Sequence, residues 1–207
     1  MTTPEHALVG IHAAVATGLS YRYDWNLIAL AGIASIIPDW DGIPMLFDMS
    51  RFESGHRVWG HNFISILLSS FLLAWSQSHY CWLEYIGKKI VRFLPSDANL
   101  AATNSNCSTA ILFLIAVIVQ VIHLPCDMVV SGGNGLSDWL TKPFWPFNDA
   151  GFVYPLIPWG DVGPTIILMA GLILSAKYPT NSSGFSIGTL ACLCVYLIVR
   201  GSMHGAV

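Results

Sequence analysis

The sequence predicts an all-α polytopic membrane protein, a bundle of about six short transmembrane helices with a metal site at one membrane face. Three observations carry that expectation. Only 10% of the 207 residues are charged, against about 25% in soluble domains, while 54% are hydrophobic and the mean hydropathy is +0.60. Apolar stretches recur along the whole chain. Its histidines and aspartates are not spread evenly but fall near the ends of those stretches.

Six apolar stretches are expected as helices: roughly 6–20, 27–38, 62–78, 109–124, 164–176 and 185–200. Most are shorter than the roughly 20 residues that cross about 30 Å of hydrocarbon, so the helices must extend into their flanks or the bilayer must thin. A soluble protein with buried helices is the rival reading for runs of this length. Polar or Pro/Gly-rich connections separate them at 39–61, 79–108 and 125–163. The second carries Lys88, Lys89 and Arg92 and then a Ser/Asn/Thr-rich surface linker from Ser96 to Thr109. The third holds Ser131 to Gly135 and an aromatic segment with Trp139, Trp145, Tyr154 and Trp159, rings suited to the headgroup region.

No polar stretch is long enough for a second globule, so one integral membrane domain over residues 1–207 is expected. A net charge of -3 gives no argument for nucleic acid as a partner. Cys81, Cys107, Cys126, Cys192 and Cys194 show no zinc-ribbon spacing and read as packing residues. The segment Met1 to Glu5 lacks the basic stretch of a secretory signal.

Alternating helices place the start of the first helix, loop 39–61 and loop 125–163 on one face. With the basic 79–108 connection cytoplasmic, Arg22, Lys88, Lys89, Arg92 and Lys177 lie inside and Arg51, Arg57, Lys142 and Arg200 outside. The metal site then falls on the non-cytoplasmic face, and the short helices and few charges fit a bacterial inner membrane.

Four groups on that face mix imidazole with carboxylate, the donor set of zinc or manganese. They are His6 (with His12), Asp39 and Asp41, His56 and His61, and His123 with Asp127. His123 and Asp127 are one helical turn apart and share a face, although Pro125 between them predicts a kinked or broken helix end. His56 and His61 lie about 140° apart on an ideal helix, so His56 is expected from a loop and His61 from the first turn beyond it. Asp39 and Asp41 repel unless a cation or proton intervenes. Arg57 has the planar fork that holds an anionic substrate or a carboxylate. Of the first pair, His6 is expected at the site and His12 in the packed interior; His79 and His204 have no acidic companions.

In this order the residues resemble the YdjM-like membrane-bound metal-dependent hydrolases. The resemblance rests on His6-x-x-x-Gly10, Ile37-Pro38-Asp39-x-Asp41, Gly55-His56-Arg57-x-x-x-His61, His123-x-x-x-Asp127 and Trp145-Pro146. It implies a helical membrane protein with metal-binding roles for His6, Asp39, Asp41, His56, His61, His123 and Asp127. A more distant similarity, through His-x-x-x-Asp, is to zinc-dependent phospholipases C and single-strand nucleases.

Together these give an expected function: a hydrolase in which one, two or more divalent ions, Zn2+ or Mn2+, activate a water against a small-molecule or lipid phosphoester. Asp39 or Asp41 would position the water or take its proton, and Arg57 would share the developing charge. Membrane lipids are the expected surroundings. The alternatives are a noncatalytic protein with a structural metal site and a metal transporter.

Overall fold

The computed structural model describes residues 1–18, 25–91, 107–132 and 138–203. The expectations placed on Arg22, Arg92, His204, the stretch 133–135 and most of the 96–109 linker lie outside the described residues. Among the described residues there are eight α-helices, two 3-10 helices and no strand longer than an isolated bridge.

Each of the six apolar stretches holds a helix. Helix α1 is Thr3–Ala16, α2 is Trp25–Ile36, α4 is Phe63–Tyr80, α6 is Thr109–Met128, α7 is Val162–Lys177 and α8 is Ser182–Met203. Two shorter helices, α3 (Met49–Gly55) and α5 (Trp82–Val91), fall in stretches read from sequence as connections. In α5 the apolar residues recur at helical spacing, with Leu83 buried and Gly87 seated on Trp25, while Lys88 and Lys89 occupy its last turn.

Six transmembrane helices are not supported. Among the described residues, three segments are long and apolar enough to cross a membrane: Trp25–Leu46, Thr109–Met128 and Pro179–Met203. The first reaches that length because α2 runs straight into a 3-10 helix, Ile37–Leu46. Helix α7 is apolar but has 16 residues, and α1 has 14, about 21 Å at 1.5 Å per residue.

Pro125 does not break α6, which continues to Met128. A proline in the last turn withholds one donor while the rest of the helix keeps its ladder, so the cost is local. His123 and Asp127 therefore stay on one face.

Two apolar cores hold the helices together. One gathers Leu30, Ala31 and Ala34 of α2 with Ala74 of α4 and Ala116 and Val119 of α6. The other joins Val9 of α1, Leu168 of α7 and Leu193 and Leu197 of α8 to Val130 and Ile157. Polar ties cross the interior as well. Gln120 bonds both Ser69 and Ser70 at 2.8 and 2.9 Å, and His12 bonds Ser186 and the Leu168 carbonyl at 3.1 and 3.0 Å. In apolar surroundings such bonds are worth on the order of 0.6–2 kcal/mol each.

The outward faces are apolar too: Leu68 and Phe71 on α4, Ile173 on α7 and Val195 and Ile198 on α8 are exposed. A continuous apolar surface of this kind suits lipid and would be an aggregation hazard in water. All five cysteines are free thiols; Cys107 and Cys126 pack against the two cores, whereas Cys81, Cys192 and Cys194, also expected as packing residues, are exposed.

Close approach of α1 to α2 sets the position of His6. A Cβ on Gly10 would lie 2.6 Å from the Ala31 carbonyl oxygen and from Ser35 Cβ, so only glycine fits there. That approach lets the Ser35 hydroxyl donate to the His6 carbonyl at 2.7 Å. At the same end of the molecule lie the 3-10 helix, the loop 56–62 and the C-terminus of α6.

Candidate metal centre

Four donors converge beneath the first turn of α1. His61 Nε2 is 3.0 Å from His123 Nε2, 2.9 Å from Asp127 Oδ2 and 3.8 Å from Asp39 Oδ1. His123 Nε2 is in turn 3.5 Å from Asp39 Oδ1 and 3.4 Å from Asp127 Oδ2. Donors on a tetrahedron with bonds of about 2.0–2.1 Å stand about 3.3–3.4 Å apart, the middle of this range. His6 joins from the other side, with Nε2 2.9 Å from Asp127 Oδ1 and its ring stacked on His123 at 3.6 Å. His6, Asp39, His123 and Asp127 offer ligand atoms that all lie within 4.8 Å of one another. This His/Asp cluster could hold a metal ion.

The hydrogen bonds around the cluster fix which imidazole nitrogen faces inward. His123 Nδ1 lies 2.7 Å from the Ser35 carbonyl oxygen, which only accepts, so Nδ1 carries the hydrogen and Nε2 presents its lone pair. His61 Nδ1 lies 2.9 Å from Asp41 Oδ2 and is oriented in the same way. Two lone pairs and two carboxylates thus point into one buried space. Two cationic groups already stand against Asp127, the Met1 ammonium 2.6 Å from Oδ1 and Arg57 Nε 3.3 Å from Oδ2, and a metal ion among the donors would meet a ligand set whose outer partners are in place.

Carboxylates at both ring nitrogens act on the His61 imidazole. Burial opposes charge on that imidazole, but the Asp41 and Asp127 carboxylates outweigh it and raise its pKa from 6.5 to about 9.

The sequence grouped seven ligands together, and the structure divides them. Asp41 is fully buried and accepts from His61, from His56 Nδ1 at 3.2 Å and from the Gly60 amide at 2.9 Å. It orients the two histidines from behind and has no face on the inner cluster. His56 ends α3 and stands beside the cluster, its ring 5.9 Å from that of His61, with one edge on Asp41. Gly60 makes this packing feasible, because a Cβ there would overlap the Pro38 carbonyl oxygen.

Arg57 is 1% exposed, and its backbone is left-handed, with φ 60°. Its Nη atoms donate to the carbonyls of Asp127 (2.8 Å), Val130 (2.9 Å) and Trp139 (3.3 Å), and Nε lies 3.3 Å from Asp127 Oδ2. The guanidinium thus ties down the carbonyls at the end of α6 that no helical bond satisfies, and the loop beyond it. A strained residue held from so many directions belongs to the site's framework.

Two supporting groups had no signal in the sequence. Ser35 acts through a backbone carbonyl, and Thr3 donates its hydroxyl to Asp39 Oδ2 at 2.7 Å. Glu5, read only as part of the N-terminal segment, is buried and bridges the Thr2 amide and the Thr165 hydroxyl, linking α1 to α7. His12 lies one and a half turns beyond His6, bonded to α7 and α8 and away from the cluster. His79 stacks on Trp75. Asp48 and Asp161 cap α3 and α7.

A cavity of about 480 Å³ opens beside the cluster. Asp39, His56, Arg57 and Asp127 contribute to its lining, and Met45, Phe52, Trp139 and Trp159 form apolar walls. Asp39, at 14% side-chain exposure, is the cluster carboxylate most open to it.

No curated protein and no solved structure matches the chain. A family model described as YdjM inner membrane protein matches residues 1–207, the whole chain. With its lipophilic helices and one-ended cluster of histidines and aspartates, the chain belongs to the YdjM inner membrane protein family.

Proposed function

We propose that this inner-membrane protein is a metal-dependent hydrolase of phosphoesters. The observation that carries the reading is the set of five donor separations, 2.9 to 3.8 Å, among His61, His123, Asp39 and Asp127 beside a cavity. Imidazole and carboxylate together suit Zn2+ or Mn2+. His61, His123 and Asp127 would hold one ion as its three protein ligands, with Asp39 on the cavity side of the remaining position. The far oxygen of Asp127 is taken up by the Met1 ammonium at 2.6 Å, beside His6 Nε2 at 2.9 Å. When bound, the metal supplies Lewis acidity that draws a water toward ionisation near neutral pH.

The chain's own groups do the rest. Asp39 faces the cavity and takes the water's proton as its oxygen bonds to phosphorus. Asp41, buried and committed to two histidines, orients them and moves no proton to substrate. His56 keeps Nδ1 on Asp41 and lines the cavity; in its imidazolium form, with Asp41 as counter-charge, it would give the Nε2 proton to the leaving oxygen as the phosphorus–oxygen ester bond breaks and be left as the neutral imidazole. Arg57 adds a fixed positive charge in the cavity wall, where the phosphoryl oxygens gather charge. The site faces the non-cytoplasmic side, opposite Lys88, Lys89 and Lys177.

The test is metal analysis and hydrolysis of bis(4-nitrophenyl) phosphate by detergent-purified protein. Chelation should abolish turnover, and Zn2+ or Mn2+ should restore it. A folded, metal-free preparation that stays active overturns the reading, and so does a loaded protein that hydrolyses no phosphoester.

A second reading has its own observation. His6, His61 and His123 are fully buried, and a tetrahedron filled by four protein donors is the mark of a closed structural site. The ion would then tie α1, the 3-10 helix, the loop 56–62 and α6 together without turnover. Loss of fold on chelation, with no activity under any metal, favours it. A transporter is the weaker alternative, because the deeper polar residues Ser69, Ser70 and Gln120 bond one another and line no path.

A further inference from the structure

The cavity beside the metal cluster has two chemically distinct parts. Its floor carries Asp39, Asp127, His56 and Arg57, and its walls are built from Met1, Pro4, Met45, Phe52, Trp139 and Trp159. A divalent ion would offset Asp39 and Asp127, and the Met1 ammonium and Arg57 together outweigh Asp41 behind the histidines, so the floor favours an anion. Away from Thr2 and Thr3, the walls are apolar and offer little to a compact, fully hydrated phosphoester, whose polar groups would lose water without gaining partners.

The rim continues the apolar wall outward. Met45 and Trp159 line the cavity and are also exposed, at 54% and 45%. Next to Met45, Ile43, Leu46 and Phe47 are exposed as well, at 56%, 77% and 85%. Met45 and its neighbours Ile43 and Leu46 form the end of the Trp25–Leu46 segment, which is long and apolar enough to span the bilayer. The cavity mouth therefore sits where a spanning segment leaves the hydrocarbon, bordered by side chains suited to acyl chains and headgroup-level rings.

We infer that the cavity takes a membrane-borne amphiphile, a lipid phosphoester whose phosphate meets the metal cluster while the first part of its chain lies along Met45, Phe52 and Trp159. This rests on the hydrolase reading for what becomes of the ester but not for the binding itself. Moving a chain from bilayer to cavity gains little, since both are apolar, so the head group carries the selectivity and the walls admit the tail. A small soluble phosphoester has the head without the means of being concentrated at this mouth.

The experiment uses the full chain in lipid nanodiscs, loaded with Mn2+, and dodecyl phosphate carrying a diazirine at mid-chain. After photolysis, adducts are mapped by mass spectrometry. The expected result is labelling of Met45, Phe52 or Trp159 that is lost on adding unlabelled dodecyl phosphate and retained with an equal concentration of dodecanol. Met45→Glu and Trp159→Ser, both at exposed positions that the fold tolerates, should lose the cavity adducts. Leu68→Glu, on the outer face of α4, should keep them.

Adducts confined to outer faces such as Leu68 and Phe71 overturn the inference, and so does equal displacement by dodecanol. Full displacement by an equal concentration of inorganic phosphate shows a site for the free anion and rejects the lipid. Failure of the hydrolase reading looks different: cavity adducts form as expected, yet no phosphoester, soluble or lipid, is turned over with metal present.

Discussion

His61 and His123 turn their Nε2 atoms to within 3.0 Å of each other across a fully buried space, although 62 residues separate them. Each has its other nitrogen engaged, by Asp41 and by the Ser35 carbonyl. Neither ring can rotate away from the contact without stranding a buried donor. The pair is thus preset for a cation between it and the carboxylates of Asp39 and Asp127.

Replacing His123 with alanine should abolish metal binding, because it removes a donor and leaves the Ser35 carbonyl without its partner. Asp41→Asn should act more mildly, lowering metal affinity about 10–100-fold as outer partners of ligating histidines do. Elemental analysis and metal titration of detergent-purified protein check both. Equal metal content in His123→Ala and wild type would remove His123 from the ligand set.

Metal uptake should depend on pH. The proton on His61, held to about pH 9, must leave before its nitrogen can serve a metal. Apparent affinity should therefore rise about tenfold per pH unit toward pH 9 and then level off. The metal-free protein shows the opposite sign. His61 has a higher pKa folded than unfolded, so its contribution to stability is complete below pH 6.5 and is lost as pH rises through about 9. Thermal unfolding of the apo and loaded proteins between pH 6 and 10 separates the two trends.

Arg57→Ala should cost about 1–3 kcal/mol, the penalty of leaving the carbonyls of Val130 and Trp139 without their donor, while Asp127 keeps the Met1 ammonium. Arg57→Lys should recover little, since an ammonium cannot reproduce the fork that spans these acceptors. Denaturant unfolding in a fixed detergent gives the measurement. If Arg57→Lys matched wild type, the clamp would be reduced to a point charge.

Gly60→Ala places a Cβ on the Pro38 carbonyl and must push the 3-10 helix off the loop that carries His61. Overpacking of this kind costs about 1–3 kcal/mol. The displacement separates Asp39 from His61, so metal content should fall together with stability. A stable Gly60→Ala protein with normal metal content would show that the two segments move independently.

The sequence by itself determined the solvent and the placing of histidines and aspartates at the helix ends. A charged fraction of 10% and long apolar runs leave lipid as the medium that accepts so much exposed apolar side chain, and the six helical stretches follow from the same runs. The His/Asp groups at helix ends, with alternation of the helices, indicated a shared face. Helix spacing also placed His123 and Asp127 together, and the depth of His12 set it apart from His6.

Only the tertiary structure decided how those residues divide. Asp39 and Asp41 are two positions apart on a tight 3-10 turn, and the side that faces the cluster depends on how that turn meets Gly60. Arg57 looked like an anion binder because its fork fits anions. Helix carbonyls at the end of α6 fit it too, and local sequence cannot show which acceptor lies nearby. The number of spans was hidden for a similar reason, since apolar runs of 12 to 22 residues look alike until packing shows which ones are extended by a neighbouring helix.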